Sequence, residues 1–146
     1  MRVLIAACLA AAVFDAGAYC IHNDLRGRDI FVEQEQLKDK LREDQVLRVA
    51  IKPGQKHCCF NLSCNPGGRP ESPVSLSIRV IGDPEYTCGA PEGSETIKVS
   101  GNGVVHVMNN PRPKSAFPYA IRIRSNDRDV FGPNGLQCLV PKKGSK

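Results

Sequence analysis

The sequence predicts an all-β fold: a single antiparallel β-sandwich, or barrel-like domain, of about eight or nine short strands. Three observations carry this expectation. Stretches with period-two alternation of apolar and polar residues recur along the chain, separated by turn residues about every ten positions. No strand–helix–strand spacing interrupts the series. Six cysteines also remain once an N-terminal export signal is set aside, enough for three disulfides in a chain without tryptophan.

The export signal is residues 1–18. Arg2 supplies a positive start, 3–14 is almost entirely apolar, and Ala16-Gly17-Ala18 is a small-residue cleavage site before Tyr19. The apolar run is shorter than the roughly 20 residues that a membrane span needs. Its removal takes Cys8 with it and implies a secreted, extracellular protein. Arg2 and Asp15 leave together, so the net charge stays at +5. The organisation expected is a signal at 1–18, a disulfide-linked β domain at 19–140 and a basic tail at 141–146.

Within the domain, 19–23 and 29–32 read as two short strands around a polar turn. Residues 33–44 then change character: charges are dense, Gly and Pro are absent, and Leu37 and Leu41 stand at helical spacing. The segment is either one exposed amphipathic helix or a solvated loop. In 46–52, Leu47, Val49 and Ile51 share one face while Arg48, Ala50 and Lys52 share the other. The cleanest alternation is 74–81, with Val74, Leu76, Ile78 and Val80 in phase. Residues 96–100 and 104–108 flank Gly101-Asn102-Gly103 and predict a hairpin. Residues 119–124 and 129–131 predict a second, and 136–140 a final strand.

Cys20, Cys58, Cys59, Cys64, Cys88 and Cys138 form the disulfide framework. Three of them lie in 52–68, the stretch around which the chain is organised. Consecutive strand residues point to opposite faces, so adjacent Cys58 and Cys59 serve different partner regions. Cys20 is expected to tie the first strand to this cluster, with the exact pairing left open. A zinc site is disfavoured because adjacent thiols diverge and no second Cys-x2-Cys pair exists. Asn61-Leu62-Ser63 is the single N-glycosylation sequon, which makes Asn61 a glycan candidate.

Tyr19-Cys20-Ile21-x-Asn23 followed by Pro53-Gly54-x3-Cys58-Cys59-x4-Cys64-Asn65 resembles a pattern in small secreted cysteine-rich proteins of filamentous, especially early-diverging, fungi. The resemblance spans the N-terminal third of the mature chain. It implies a secreted, disulfide-linked β fold and brings no activity with it.

No catalytic motif stands out: there is no G-x-S-x-G, no H-E-x-x-H and no phosphate-binding glycine loop. The three histidines, His22, His57 and His106, have no spacing that selects an acid–base pair, and His106 reads as a solvent-facing or half-buried strand residue. No catalytic residues, metal or cofactor are therefore assigned. The most suggestive pattern is positional. Arg48, Lys52, Arg79, Lys98, Arg122 and Arg124 all fall in the polar phase of expected strands, and neighbouring strands would gather them into a basic face. Such a face suits an anionic polysaccharide, while the absence of interleaved aromatics speaks against nucleic acid. Lysines and arginines are equally ordinary on a solvent face, where they discourage edge-to-edge aggregation. The functional expectation is a non-enzymatic interaction protein, effector-like or cell-wall-associated, whose partner is an extracellular protein or an anionic polysaccharide. The alternatives are a protease inhibitor presenting a loop from 59–68 or 84–93, and a small hydrolase or nuclease.

Overall fold

A computed structural model describes residues 19–35, 47–60, 64–65, 69, 72–89, 96–111, 118–125, 128–131 and 137–139. Among them are eleven strands and no helix. In chain order these are β1 (Tyr19–Asp24), β2 (Ile30–Gln34), β3 (Arg48–Ile51), β4 (Lys56–Cys59), β5 (Pro73–Val80), β6 (Tyr86–Gly89), β7 (Thr96–Ser100), β8 (Val104–Asn109), β9 (Tyr119–Ser125), β10 (Arg128–Phe131) and β11 (Gln137–Leu139).

Hydrogen bonding connects them along the path β3-β2-β5-β6-β11-β9-β8-β1-β4, with β7 on β5 and β10 on β9. Two units result. In one, β5 lies beside β2 and divides its other edge, its first half pairing with β7 and its second with β6. In the other, β9 lies beside β8 and divides its edge between β10 and β11. The β6–β11 pair joins the two units. The all-β fold expected from alternation is what forms. In β5 the alternation is exact: Val74, Leu76, Ile78 and Val80 are buried, and Ser75, Ser77 and Arg79 are not. Tyr19, Ile21, Ile30, Val32, Ile97, Val105, Val107 and Ile121 join them in one core. Each such side chain contributes about 1.5–3 kcal/mol on burial.

The turns behave differently from the sequence expectation. Strands 96–100 and 104–108 exist but do not form a hairpin: β7 pairs with β5, and β8 pairs with β1 and β9. A two-residue hairpin turn of the favoured kind needs positive φ at its centre. Among the described residues the positive-φ glycines are Gly27, Gly54 and Gly82, not Gly101 or Gly103. Gly101 and Gly103 serve close packing instead. A Cβ on Gly101 would collide with the Asn65 side chain, and one on Gly103 would lie 2.5 Å from Val99 Cγ2. The turn passes the chain from one unit to the other. The expected hairpin of 119–124 with 129–131 does form, as β9 with β10.

The first two strands also part company. β1 pairs with β4, β2 with β3, and the 25–29 and 52–55 connections both cross between units. The two ends of the strand path, β3 and β4, are thereby held together by one short turn at Pro53-Gly54. Asn23 locks this corner. Its side-chain Nδ2 donates to the carbonyls of Arg28 and Ile51, each at 2.8 Å, and its Oδ1 accepts from the Leu25 N–H at 3.1 Å. Its own N–H donates to the Gln55 carbonyl, and its carbonyl accepts from the Gly54 N–H. Tyr19 adds a buried link between the units, its hydroxyl donating to Gln34 Oε1 at 2.9 Å.

The three disulfides are Cys20–Cys58, Cys59–Cys64 and Cys88–Cys138. As strand geometry requires, adjacent Cys58 and Cys59 reach different partners, and Cys20 is the one that meets the cluster. Cys20–Cys58 and Cys88–Cys138 each link directly opposed residues of neighbouring strands. Glu33 and Gln34 belong to β2, so of the two readings left open for 33–44, helix or loop, a helix cannot begin at residue 33; most of that segment lies outside the described residues. So do the export signal, Asn61 and the basic tail. No helix of the described residues is long and apolar enough to cross a membrane.

Candidate functional site

β1 and β8 are parallel neighbours, with His22 opposite His106 and Asp24 opposite Met108. On β1, Tyr19, Ile21 and Asn23 point into the core, which sends Cys20, His22 and Asp24 outward. On β8 the same logic buries Val105 and Val107 and turns Val104, His106 and Met108 out. Residues paired across strands share a face. One rung therefore runs Lys56, His22, His106, Arg122 over β4, β1, β8 and β9, with Arg124 beside Val104 on the next rung. Four basic side chains from four distant parts of the sequence stand in line.

Asp24 is the carboxylate in this line. Its Oδ2 lies 2.7 Å from His106 Nδ1. That contact orients the imidazole and leaves Nε2 as its other polar atom. The rings of His22 and His106 meet at 4.6 Å between centroids, tilted by 37°. Burial and the neighbouring His106 and Lys56 hold the His22 pKa below the ordinary histidine value, with Asp24 pulling the other way. One donor atom each from His22, Asp24 and His106 lies within 4.8 Å of the others. A shallow depression of about 320 Å³ opens beside them, lined by Asn102, Val104, His106, Arg124 and Ser125.

The six basic residues expected to form one face are distributed over both units. Arg48, Arg79 and Lys98 sit on β3, β5 and β7, and exposed Lys52 follows β3; Arg122 and Arg124 sit on β9, with β6 and β11 between β5 and β9. Arg48 is paired with Glu33 at 2.8 Å. Arg79 pairs with Glu85 at 3.3 Å and lies over the Phe31 ring at 5.0 Å. The other unit instead adds Lys56, His22 and His106 to Arg122 and Arg124. His57 stands opposite Ile21, in the alternate phase from Lys56. The loops weighed as protease-inhibitory lie in part outside the described residues.

Sequence reasoning missed the His22–Asp24–His106 group. Two of its members are i and i+2 on a strand and so share a face. That half of the signal was present. The third arrives through a parallel pairing that brings His106 to Asp24 across 82 residues of sequence, which nothing in the local sequence announces. Compared with protein-family models, curated proteins and solved structures, the chain matches none of them.

Proposed function

We propose that this chain is a secreted interaction protein, effector-like or cell-wall-associated in the manner of the fungal proteins its N-terminal third resembles, which binds an anionic polysaccharide. The observation that carries the reading is the rung Lys56–His22–His106–Arg122, extended by Arg124. Its four residues span three inter-strand spacings of about 4.8 Å, roughly 14 Å in all. A line of basic groups at that spacing complements a linear polyanion better than a compact anion, with Lys56, Arg122 and Arg124 carrying the fixed charge. Three disulfides suit an extracellular setting. Binding should be retained on a sulfated or uronic-acid polysaccharide at low salt and lost as ionic strength rises. Arg122→Glu with Arg124→Glu should abolish retention, while Arg48→Glu, on the other unit, should leave most of it. Equal loss in both variants, or no retention by the unaltered protein, rejects the reading.

The contact between His106 and Asp24 favours one second reading, a small extracellular hydrolase. A carboxylate-oriented imidazole beside arginines is the kind of acid–base group that cleavage of a phosphodiester uses. In a screen on polyribonucleotides, any activity found should vanish in His106→Ala and persist in His57→Ala. Activity indifferent to His106 would sink it.

A further inference from the structure

We infer that His22, Asp24 and His106 form a binding site for one divalent transition-metal ion of the zinc or copper type. This goes beyond polysaccharide binding, since it places a cation at the centre of an otherwise basic face.

The argument begins with the scaffold. All three side chains project from β1 and β8, which are both interior strands: β1 is held between β4 and β8, and β8 between β1 and β9. Cys20–Cys58 further clamps β1 to β4 two residues from His22. The donors therefore sit on a rigid surface, as a preorganised metal site requires.

Geometry comes next. Metal–nitrogen and metal–oxygen bonds of about 2.0–2.2 Å place two ligands of one ion about 3–4 Å apart. In this group the Asp24–His106 separation is 2.7 Å, and all three donors lie within 4.8 Å. The required spacing falls inside that range. Asp24 is exposed, so a small rotation of its side chain opens the short contact toward bonding distance. Coordination through Nδ1 uses the lone pair of that nitrogen, so the neutral ring binds as the tautomer with its proton on Nε2, and Asp24 binds as the carboxylate.

The donor set selects the metal. Two imidazoles and one carboxylate suit zinc, copper and nickel, whereas magnesium and calcium prefer sets made of oxygen. With three protein ligands the ion keeps at least one position toward solvent, the arrangement of open rather than structural sites. A structural role is also unnecessary where disulfides already close the fold. Lys56 and Arg122 flank the group and oppose a dication; Asp24 offsets part of that repulsion, and the exposed setting screens the rest. Removing Lys56 should therefore strengthen binding.

The test uses the full chain with its disulfides intact, titrated with zinc chloride or copper sulfate by calorimetry. One equivalent should bind, and magnesium and calcium should not compete. His22→Ala, His106→Ala and Asp24→Asn should each weaken binding at least tenfold, while His57→Ala leaves it unchanged and Lys56→Ala tightens it. NMR of the unaltered protein avoids any doubt over folding of the variants. Zinc should shift the ring signals of His22 and His106 and spare those of His57. Absence of saturable binding, or binding that moves His57 and not the other two, overturns the proposal. Polysaccharide retention and metal binding fail separately: Arg122→Glu with Arg124→Glu removes the first and, by lifting the repulsion from Arg122, keeps or tightens the second.

Discussion

Asn23 has no solvent-exposed surface, yet every polar group on it is used. It bonds the turn after β1, the end of β3 and the turn before β4, so it holds both crossings of the sandwich corner at once. Replacing it with alanine strands the carbonyl of Ile51 and the N–H of Leu25 in a buried setting, at about 1–3 kcal/mol for each unsatisfied group. Asn23→Ala should destabilise the domain by about 3 kcal/mol, read as a lower urea midpoint with an unchanged slope. A loss below about 1 kcal/mol would mean that water replaces the side chain at that corner.

His22 makes a pH-dependent prediction at the same scale. Its folded pKa lies below the ordinary value, so the unfolded chain takes up a proton first as pH falls. The folded state is then penalised: the effect is absent above about pH 6.5, grows below it, and levels off once the folded imidazole also protonates. His22→Gln lacks this effect. The stability of the unaltered protein relative to His22→Gln should therefore decline from about pH 7.5 to about pH 5 in chemical denaturation. A rise over that interval would contradict the cause assigned to the shift.

At the scale of elements, the disulfides differ in what they constrain. Cys88–Cys138 closes a separation of 50 residues, Cys20–Cys58 one of 38, and Cys59–Cys64 only 5. Loop-closure entropy gives about 4 kcal/mol for each of the first two and about 2 kcal/mol for the third. Cys88–Cys138 also fastens β6 to β11, the pair that joins the two units. Replacing both of its cysteines by alanine should lower the thermal midpoint more than the same change at Cys59 and Cys64. The reverse order would show that loop length does not govern stability here. Strand faces at this scale were legible from sequence, because burial on one side imposes period two on β5 and β8 whatever their neighbours. Strand β6 was missed: Tyr86-Thr87-Cys88-Gly89 is too short to show a period.

For the whole molecule, the topology orders local stability. β1, β8, β5 and β2 are interior strands, while β3 and β4 terminate the path among the described residues. Amide exchange should be slowest at Ile21, Val105, Val107 and Ile78, and faster along β3 and β4. Uniform protection would contradict this ordering.

The sequence by itself determined that the chain is all-β, which residues share a face in its clearly alternating strands, and that neighbouring Cys58 and Cys59 must diverge. These are local consequences of pleat, burial and cysteine chemistry. The tertiary structure alone decided which strands meet. Turn residues mark where a chain reverses, but a turn that returns a strand to its own sheet and one that hands it to the facing layer use much the same residues. The glycines at 101 and 103 read as a hairpin and proved to serve close packing in a crossing. That difference put β8 parallel to β1, and with it His106 beside His22 and Asp24. The candidate site is a product of strand order, and strand order follows from long-range packing that no local pattern encodes.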